Sequence, residues 1–312
     1  MLVVYTTVRL TDAQAARIAG VDPAIRLIRG DREASVPGLD EAEVLFGWLG
    51  PEQFRSARRL RWIHAHGAGV DRLLFPELVA SDVVVTNARG VAAVSLAEHC
   101  FALLLALTRR IPEFVHQQAR RQWQMLWGTE IAGQTLGIIG LGNVGRQIAR
   151  RAHGFDLRVL AVDLRPVDPP PEVAALWPVA RLPDLLREVD ILVMAAPHTR
   201  ETDRLLGRAE FARLRPGALF LNISRGKTVD EPALIEALAS GHLGGAGLDV
   251  TAEEPLPPES PLWSFPNVLI TSHSATTSQH FHDRMVDLFV ENLRRRIGGE
   301  PLLNVVDKQA GF

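Results

Sequence analysis

The sequence predicts an α/β protein: a doubly wound parallel sheet joined to a second, smaller α/β domain. Three observations carry this expectation. From about residue 130 six short β-rich runs alternate with helical patterns at intervals of roughly 20 to 30 residues. Those runs are apolar throughout, as strands buried on both faces must be. The first hundred residues repeat the alternation less regularly.

Taken in order, "MLVVYT", "IRLIRG", "EVLFGW", "RWIHAH" and "DVVVTN" are the candidate strands of the smaller domain. The stretch from Val91 to Arg110 has helical periodicity and too few breakers for a loop, so it reads as a long helix linking the domains. The six later runs are "TLGIIG", "RVLAVD", "DILVMAAP", "ALFLNIS", "GAGLDV" and "NVLITSH", which suit a doubly wound sheet. The closing segment "DRMVDLFVENLRRRIGGEPLLNVVDKQAGF" is helical and then extended, with no domain of its own, and is expected to return to the first domain. "PVDPPPEV" and "EEPLPPESP" read as rigid surface connections.

Composition bounds the function. A chain of 312 residues, 47% of them apolar, can bury a large core and suggests two domains. A formal charge of −2 gives no field to attract nucleic acid or anionic lipid, and the clusters Arg58, Arg59, Arg61 and Arg294, Arg295, Arg296 read as solvated helix faces. The single cysteine, Cys100, lies in "AEHCFALLLAL", where it packs rather than reacts. No leader for export is apparent, and the longest apolar run, Cys100 to Leu107, is far below a bilayer span. A cytoplasmic protein without nucleic-acid or membrane partners is expected.

The stretch "TLGIIGLGNVGRQIARRA" places Gly140, Gly142 and Gly145 between a strand and a helix, matching G-x-G-x-x-G. The glycines serve a tight turn, a close approach of backbone to pyrophosphate, and the packing of helix on strand. The helix start offers N–H groups and partial positive charge to phosphates. Alone the motif is weak. Asp163, about 20 residues on at the end of "RVLAVD", strengthens it, because a carboxylate there accepts from the adenosine ribose hydroxyls and repels a 2′-phosphate. NAD is therefore expected over NADP, with Arg165 keeping NADP open.

Three residues able to do chemistry follow strands of the same sheet: Arg225 in "NISRGKTVD", Glu254 in "LDVTAEEPLP" and His273 in "ITSHSATT". Ligands bind at the carboxyl ends of such strands. Singly each has an ordinary explanation: an ion pair with Asp230, one more acid in a proline loop, one of ten histidines. Jointly they pair an Arg fork for a carboxylate with a His–Glu couple that moves protons near neutral pH.

The combination of "GLGNVGRQIA", "LNISRGKTVDEPALIEALASGHLGGAGLDVTAEEPLPPESPLW" and "PNVLITSHSA" resembles the D-isomer-specific 2-hydroxyacid dehydrogenase family, as do "LRWIHAHGAGVDRL", "VVTNARGVAAVSLAEHCFALLLAL" and "LLNVVDK". The resemblance implies a Rossmann cofactor domain, residues 96–284, inserted into a smaller flavodoxin-like α/β substrate domain, residues 1–95 plus 285–312. It implies hydride transfer between a nicotinamide and a 2-oxo or D-2-hydroxy acid. His273 would give or take the proton, Glu254 would orient it and favour its charged form, and Arg225 would hold the substrate carboxylate and carbonyl. Ala68 and Gly69 would grip the substrate through backbone N–H groups. Asn143 and Val144 would meet the pyrophosphate. Ala196, Ile223 and Ala275 would line the cofactor cleft, and Asp249 would face the carboxamide. A homodimer and a small-molecule partner are implied, with no metal.

Two departures concern the substrate. Ser272 stands where the family commonly has proline, and "SATTSQHFHD" brings His280, Phe281 and His282, which are expected to shape the substrate mouth rather than bind metal. Trp48 and Leu49 are expected to cap the substrate side chain, favouring a compact or apolar 2-oxo acid over a phosphorylated one, and His64 and His66 to pack at strand ends. The competing readings are a dinucleotide-sensing, corepressor-like binding protein and a family member acting on formate or phosphite. Glyoxylate and hydroxypyruvate are ordinary candidates for the main reading.

Overall fold

The computed structural model describes residues 1–30, 38–165 and 168–311; Pro166 and Val167 of the first proline-rich loop and the terminal Phe312 lie outside the described residues. The chain forms two compact units, residues 1–91 with 278–312, and residues 92–277.

The first unit opens with β1 (Leu2–Thr6), α1 (Asp12–Ala19), β2 (Ile25–Arg29), β3 (Val44–Phe46), α2 (Pro51–Ser56), β4 (Trp62–His64), α3 (Pro76–Val79) and β5 (Val84–Thr86). Helix α1 starts where Thr11 and Gln14 cap each other, the Thr11 hydroxyl accepting from Gln14 N (3.2 Å) and the Gln14 carbonyl from Thr11 N (3.0 Å). The five strands are parallel in the order β2-β1-β3-β4-β5, the flavodoxin-like arrangement. Neighbouring residues of each strand enter different cores: Val3 and Leu45 pack on one face, Val4, Val44 and Phe46 on the other. That two-sided burial is why β1 and β3 read as apolar runs, whereas the edge strand β2, IRLIR, carries two exposed arginines.

The second unit contains α4 (Ala93–Thr108), α5 (Ile111–Ala119), β6 (Thr135–Ile139), α6 (Asn143–His153), β7 (Arg158–Asp163), β8 (Val173–Pro178), α7 (Leu182–Glu188), β9 (Ile191–Met194), α8 (Arg208–Phe211), β10 (Ala218–Asn222), α9 (Glu231–Ala239), β11 (Leu243–Leu248) and β12 (Val268–Ile270). Its parallel strands run β12-β11-β10-β9-β6-β7-β8, a dinucleotide-binding order extended by one strand. Helices α4 and α6 cover one face and α7, α8 and α9 the other. Cys100, in α4, is buried, and burial pushes its thiol up to about 12.

One strand escapes the sequence reading. β8, "VAALWP", is an apolar run directly after the first proline-rich loop; it pairs with β7 at the sheet edge and is mostly half-buried. The chain returns to the first unit as α10 (Phe281–Gly298), whose Met285, Val286, Phe289, Val290 and Leu293 complete the core over Val4, Phe46 and Trp62. Among the described residues no helix is long and apolar enough to cross a membrane.

Candidate active site

The sheet order reverses between β6 and β9, and ligands of such sheets bind outside the carboxyl ends of the strands at that point. The glycine loop follows β6 there. Gly140 has φ +95°, and a Cβ on it would lie 2.7 Å from Ala196 N. A Cβ on Gly145 would lie 2.2 Å from Gly140 O, so the start of α6 is pressed against the loop. Gly142 differs: a Cβ there would meet nothing within 4 Å. Gly142 caps α6 without a side chain, and both it and Asn143 are exposed. Open space before exposed helix-start N–H groups is what a pyrophosphate requires, and these residues fit a dinucleotide.

Asp163 ends β7. Its carboxylate accepts from Leu141 N (2.6 Å) and Arg165 N (2.9 Å), fixing the glycine loop from the neighbouring strand. Each carboxylate oxygen has capacity for a further donor. Val144 is half-buried in α6, while Ala196 and Ile223 are buried just after β9 and β10.

Strands β10, β11 and β12 are adjacent and parallel, so the loops holding Arg225, Glu254 and His273 leave the same edge. After β10, Asn222 and Thr228 both donate to Arg225 O, and the Arg225 guanidinium donates to Ser224 O (2.8 Å). Gly226 lies against the backbone of Thr251 and Ala252, where a Cβ would fall 1.9 Å from Thr251 O, so the Arg225 and Glu254 loops touch. His273 Nδ1 lies 2.9 Å from Glu254 Oε2. A carboxylate only accepts, so Nδ1 carries the proton toward Glu254 and Nε2 is left to exchange protons.

Behind them Asp249 is buried. Its carboxylate accepts from the Thr271 hydroxyl (2.6 Å), Ser274 N (2.9 Å) and Ala275 N (3.1 Å), and its own carbonyl from His273 N (2.8 Å). Asp249 and the buried Ala275 are therefore parts of the histidine loop's internal structure. His99 of α4, 2.8 Å from the Thr271 hydroxyl, is a residue the sequence reading passed over. Its signal was available: Ser95 and His99 are polar residues four apart on a helix otherwise rich in apolar side chains.

The first unit holds the remaining candidates. Ala68 and Gly69 follow β4, in a turn tied to residues 87–88 by Asn87 Nδ2 to Ala68 O (2.7 Å) and Ala88 N to Gly67 O (3.1 Å). Leu49 is buried in the core and is not available as a substrate cap, leaving Trp48, whose ring meets His66 edge-on at 5.5 Å. His64 is fully buried with Nδ1 2.7 Å from the Thr86 hydroxyl, and burial pulls its imidazole down to about 3. His280 precedes α10, and Phe281 and His282 begin it.

Residues 101–275 match the model of the D-isomer specific 2-hydroxyacid dehydrogenase NAD binding domain. The chain belongs to the D-isomer-specific 2-hydroxyacid dehydrogenase family. It is 36% identical over 265 residues to a glyoxylate reductase of Korarchaeum cryptofilum, covering 83% of this chain and 79% of the relative. A crystal structure of a family protein from Aeromonas salmonicida superposes with TM-score 0.88 at 32% identity, covering 98% and 99% of the two chains. An NADPH-dependent glyoxylate/hydroxypyruvate reductase from Sinorhizobium meliloti, solved with NADP and sulfate, superposes with TM-score 0.87 at 29% identity over the whole of both chains. As a member of this family the protein is a 2-hydroxyacid dehydrogenase that uses a nicotinamide dinucleotide.

Proposed function

We propose that the protein is an NAD-dependent reductase of small 2-oxo acids that forms D-2-hydroxy acids and also runs in reverse. The observation that carries this is the His273–Glu254 pair, 2.9 Å apart at the ends of neighbouring strands, with Arg225 on the next loop. The cofactor, when bound, supplies or receives the hydride. Arg225 presents its fork to the substrate carboxylate. Glu254 accepts a hydrogen bond from Nδ1–H and fixes the ring, so the Nε2 proton of His273 passes to the carbonyl oxygen during reduction. In oxidation neutral His273 takes that proton back at Nε2. On the family pattern Ala68 and Gly69 are backbone donors to the same carboxylate. Gly140, Gly142, Asn143, Val144 and Gly145 hold the pyrophosphate, and Ala196, Ile223, Asp249 and Ala275 frame the nicotinamide half.

Asp163 at the end of β7 supports NAD over NADP, since an acidic residue about 20 residues past the glycine loop accepts from ribose hydroxyls and repels a 2′-phosphate. The relatives named glyoxylate reductase and the indole of Trp48 support a compact substrate such as glyoxylate or hydroxypyruvate, although other relatives are named D-3-phosphoglycerate dehydrogenase. A homodimer is supported by Trp123, Met125 and Trp127, apolar side chains left almost wholly exposed on one extended stretch.

The test is the fall in reduced-nicotinamide absorbance with glyoxylate, hydroxypyruvate, pyruvate, phenylpyruvate and 2-oxoisocaproate, using NADH and NADPH in parallel. Turnover is expected with the two smallest acids and NADH. Silence across all five, with NADH still bound, would overturn the reading in favour of a dinucleotide-sensing binding protein or a substrate outside the 2-oxo acids.

A further inference from the structure

The loop carrying His273 is held from behind by a hydrogen-bond chain that begins in α4. A carboxylate cannot donate, so the Thr271 hydroxyl must direct its one proton to Asp249 Oδ1, 2.6 Å away. His99 Nε2, 2.8 Å from the same hydroxyl oxygen, is then the donor. The chain runs in one direction, from His99 through Thr271 to Asp249. His99 Nε2 also lies 3.5 Å from Asp249 Oδ1, within the attraction of that carboxylate.

The far end of the chain decides what it does. Asp249 is 2% exposed and grips Ser274 N and Ala275 N, the residues immediately beyond His273, while Thr271 lies just before it. One turn earlier on the same helix the Ser95 hydroxyl donates to Ala92 O at 3.0 Å and lies 3.4 Å from Thr276 O, against the same loop. Between these fixed points His273 has φ 50°, a left-handed conformation that a residue with a side chain keeps when its surroundings impose it. The constraint on the backbone of His273 therefore comes from α4 and β11, apart from the Glu254 pair that orients its ring.

We propose that His99 is a positioning residue for the proton-transferring histidine: it fixes Thr271, Thr271 and Asp249 fix the loop, and the loop sets the place of His273 Nε2. Its kinetic consequence rests on the function proposed above, but its structural consequence does not.

The experiment compares His99→Leu, which removes the donor and keeps much of the volume, with His99→Gln, which retains an N–H donor, and Thr271→Val, which removes the hydroxyl alone. In the full-length protein with glyoxylate and NADH, His99→Leu and Thr271→Val are expected to lower kcat by roughly ten- to a hundredfold with KM for glyoxylate changed little, the cost of a small misplacement of a reacting group. His99→Gln is expected to recover most of that loss. Amide hydrogen exchange at Ser274 and Ala275 should quicken in His99→Leu and Thr271→Val and not in His99→Gln. Unchanged kcat and unchanged exchange in His99→Leu and Thr271→Val would overturn the proposal, as would a loss that His99→Gln shares in full. Should the wild type turn over no 2-oxo acid, the proposed function falls, and the exchange measurement alone decides the role of His99.

Discussion

Two histidines mark strand ends in the two units, and they have opposite chemistry. His64 ends β4, fully buried among Phe46, Trp62 and Phe289, with a threonine hydroxyl as partner, and burial holds it neutral down to about pH 3. His273 follows β12 with its side chain 39% exposed and a carboxylate at 2.9 Å. Desolvation without a countercharge removes a histidine such as His64 from proton transfer at neutral pH, while the ring of His273 is half-exposed and oriented by Glu254. Position at a strand end, shared by both, does not distinguish them.

The sharpest way to break this contrast is the same substitution at both places. His273→Gln is expected to lower kcat by about a thousandfold, within the range of general acid–base catalysis, with a thermal midpoint close to the wild type. His64→Gln should leave kcat within about twofold, because it lies outside the proton-transfer pair, and should change how stability depends on pH.

The sign of that dependence follows from the direction of the shift. The unfolded chain protonates His64 near 6.5 and the folded protein only near 3, so between those values the unfolded state binds more protons. This contribution to stability is complete above 6.5 and is lost as pH falls, by up to about 1.4 kcal/mol per pH unit. Urea unfolding at pH 7, 6 and 5 checks it: the decline should be shallower in His64→Gln, and an equal slope in both proteins would mean that another group carries the acid sensitivity.

A smaller effect sharpens the comparison from the cofactor side. Gly142→Ala adds a methyl into space the protein leaves open, so the melting temperature should barely move while the Kd for NADH, read by fluorescence titration, rises by roughly tenfold, about 1.4 kcal/mol. A drop in stability without a change in Kd would show that the space is needed by the fold rather than by a ligand.

Much of this was legible in the sequence because it is written in local patterns. Gly140, Gly142 and Gly145 declare a strand, a turn and a helix within six residues, and a strand end directly before Arg225, Glu254 and His273 places them on one edge once the strands are taken as parallel. What escaped is what depends on partners distant in sequence. The role of Asp163 as the anchor of Leu141, and of Asp249 as the clamp of residues 271–275, exists only across strand ends that meet in the fold. His99 stands 172 positions from Thr271, and no spacing rule connects them.

The connectivity of the two units has a consequence for biosynthesis. The second unit is one continuous stretch, residues 92–277, whereas the first is closed by α10, which arrives only with residues 278–312. On a ribosome, the apolar face formed by Val4, Phe46 and Trp62 therefore waits uncovered while the whole intervening unit is made and can fold. Residues 1–91 are therefore translated before the second unit and completed only after it.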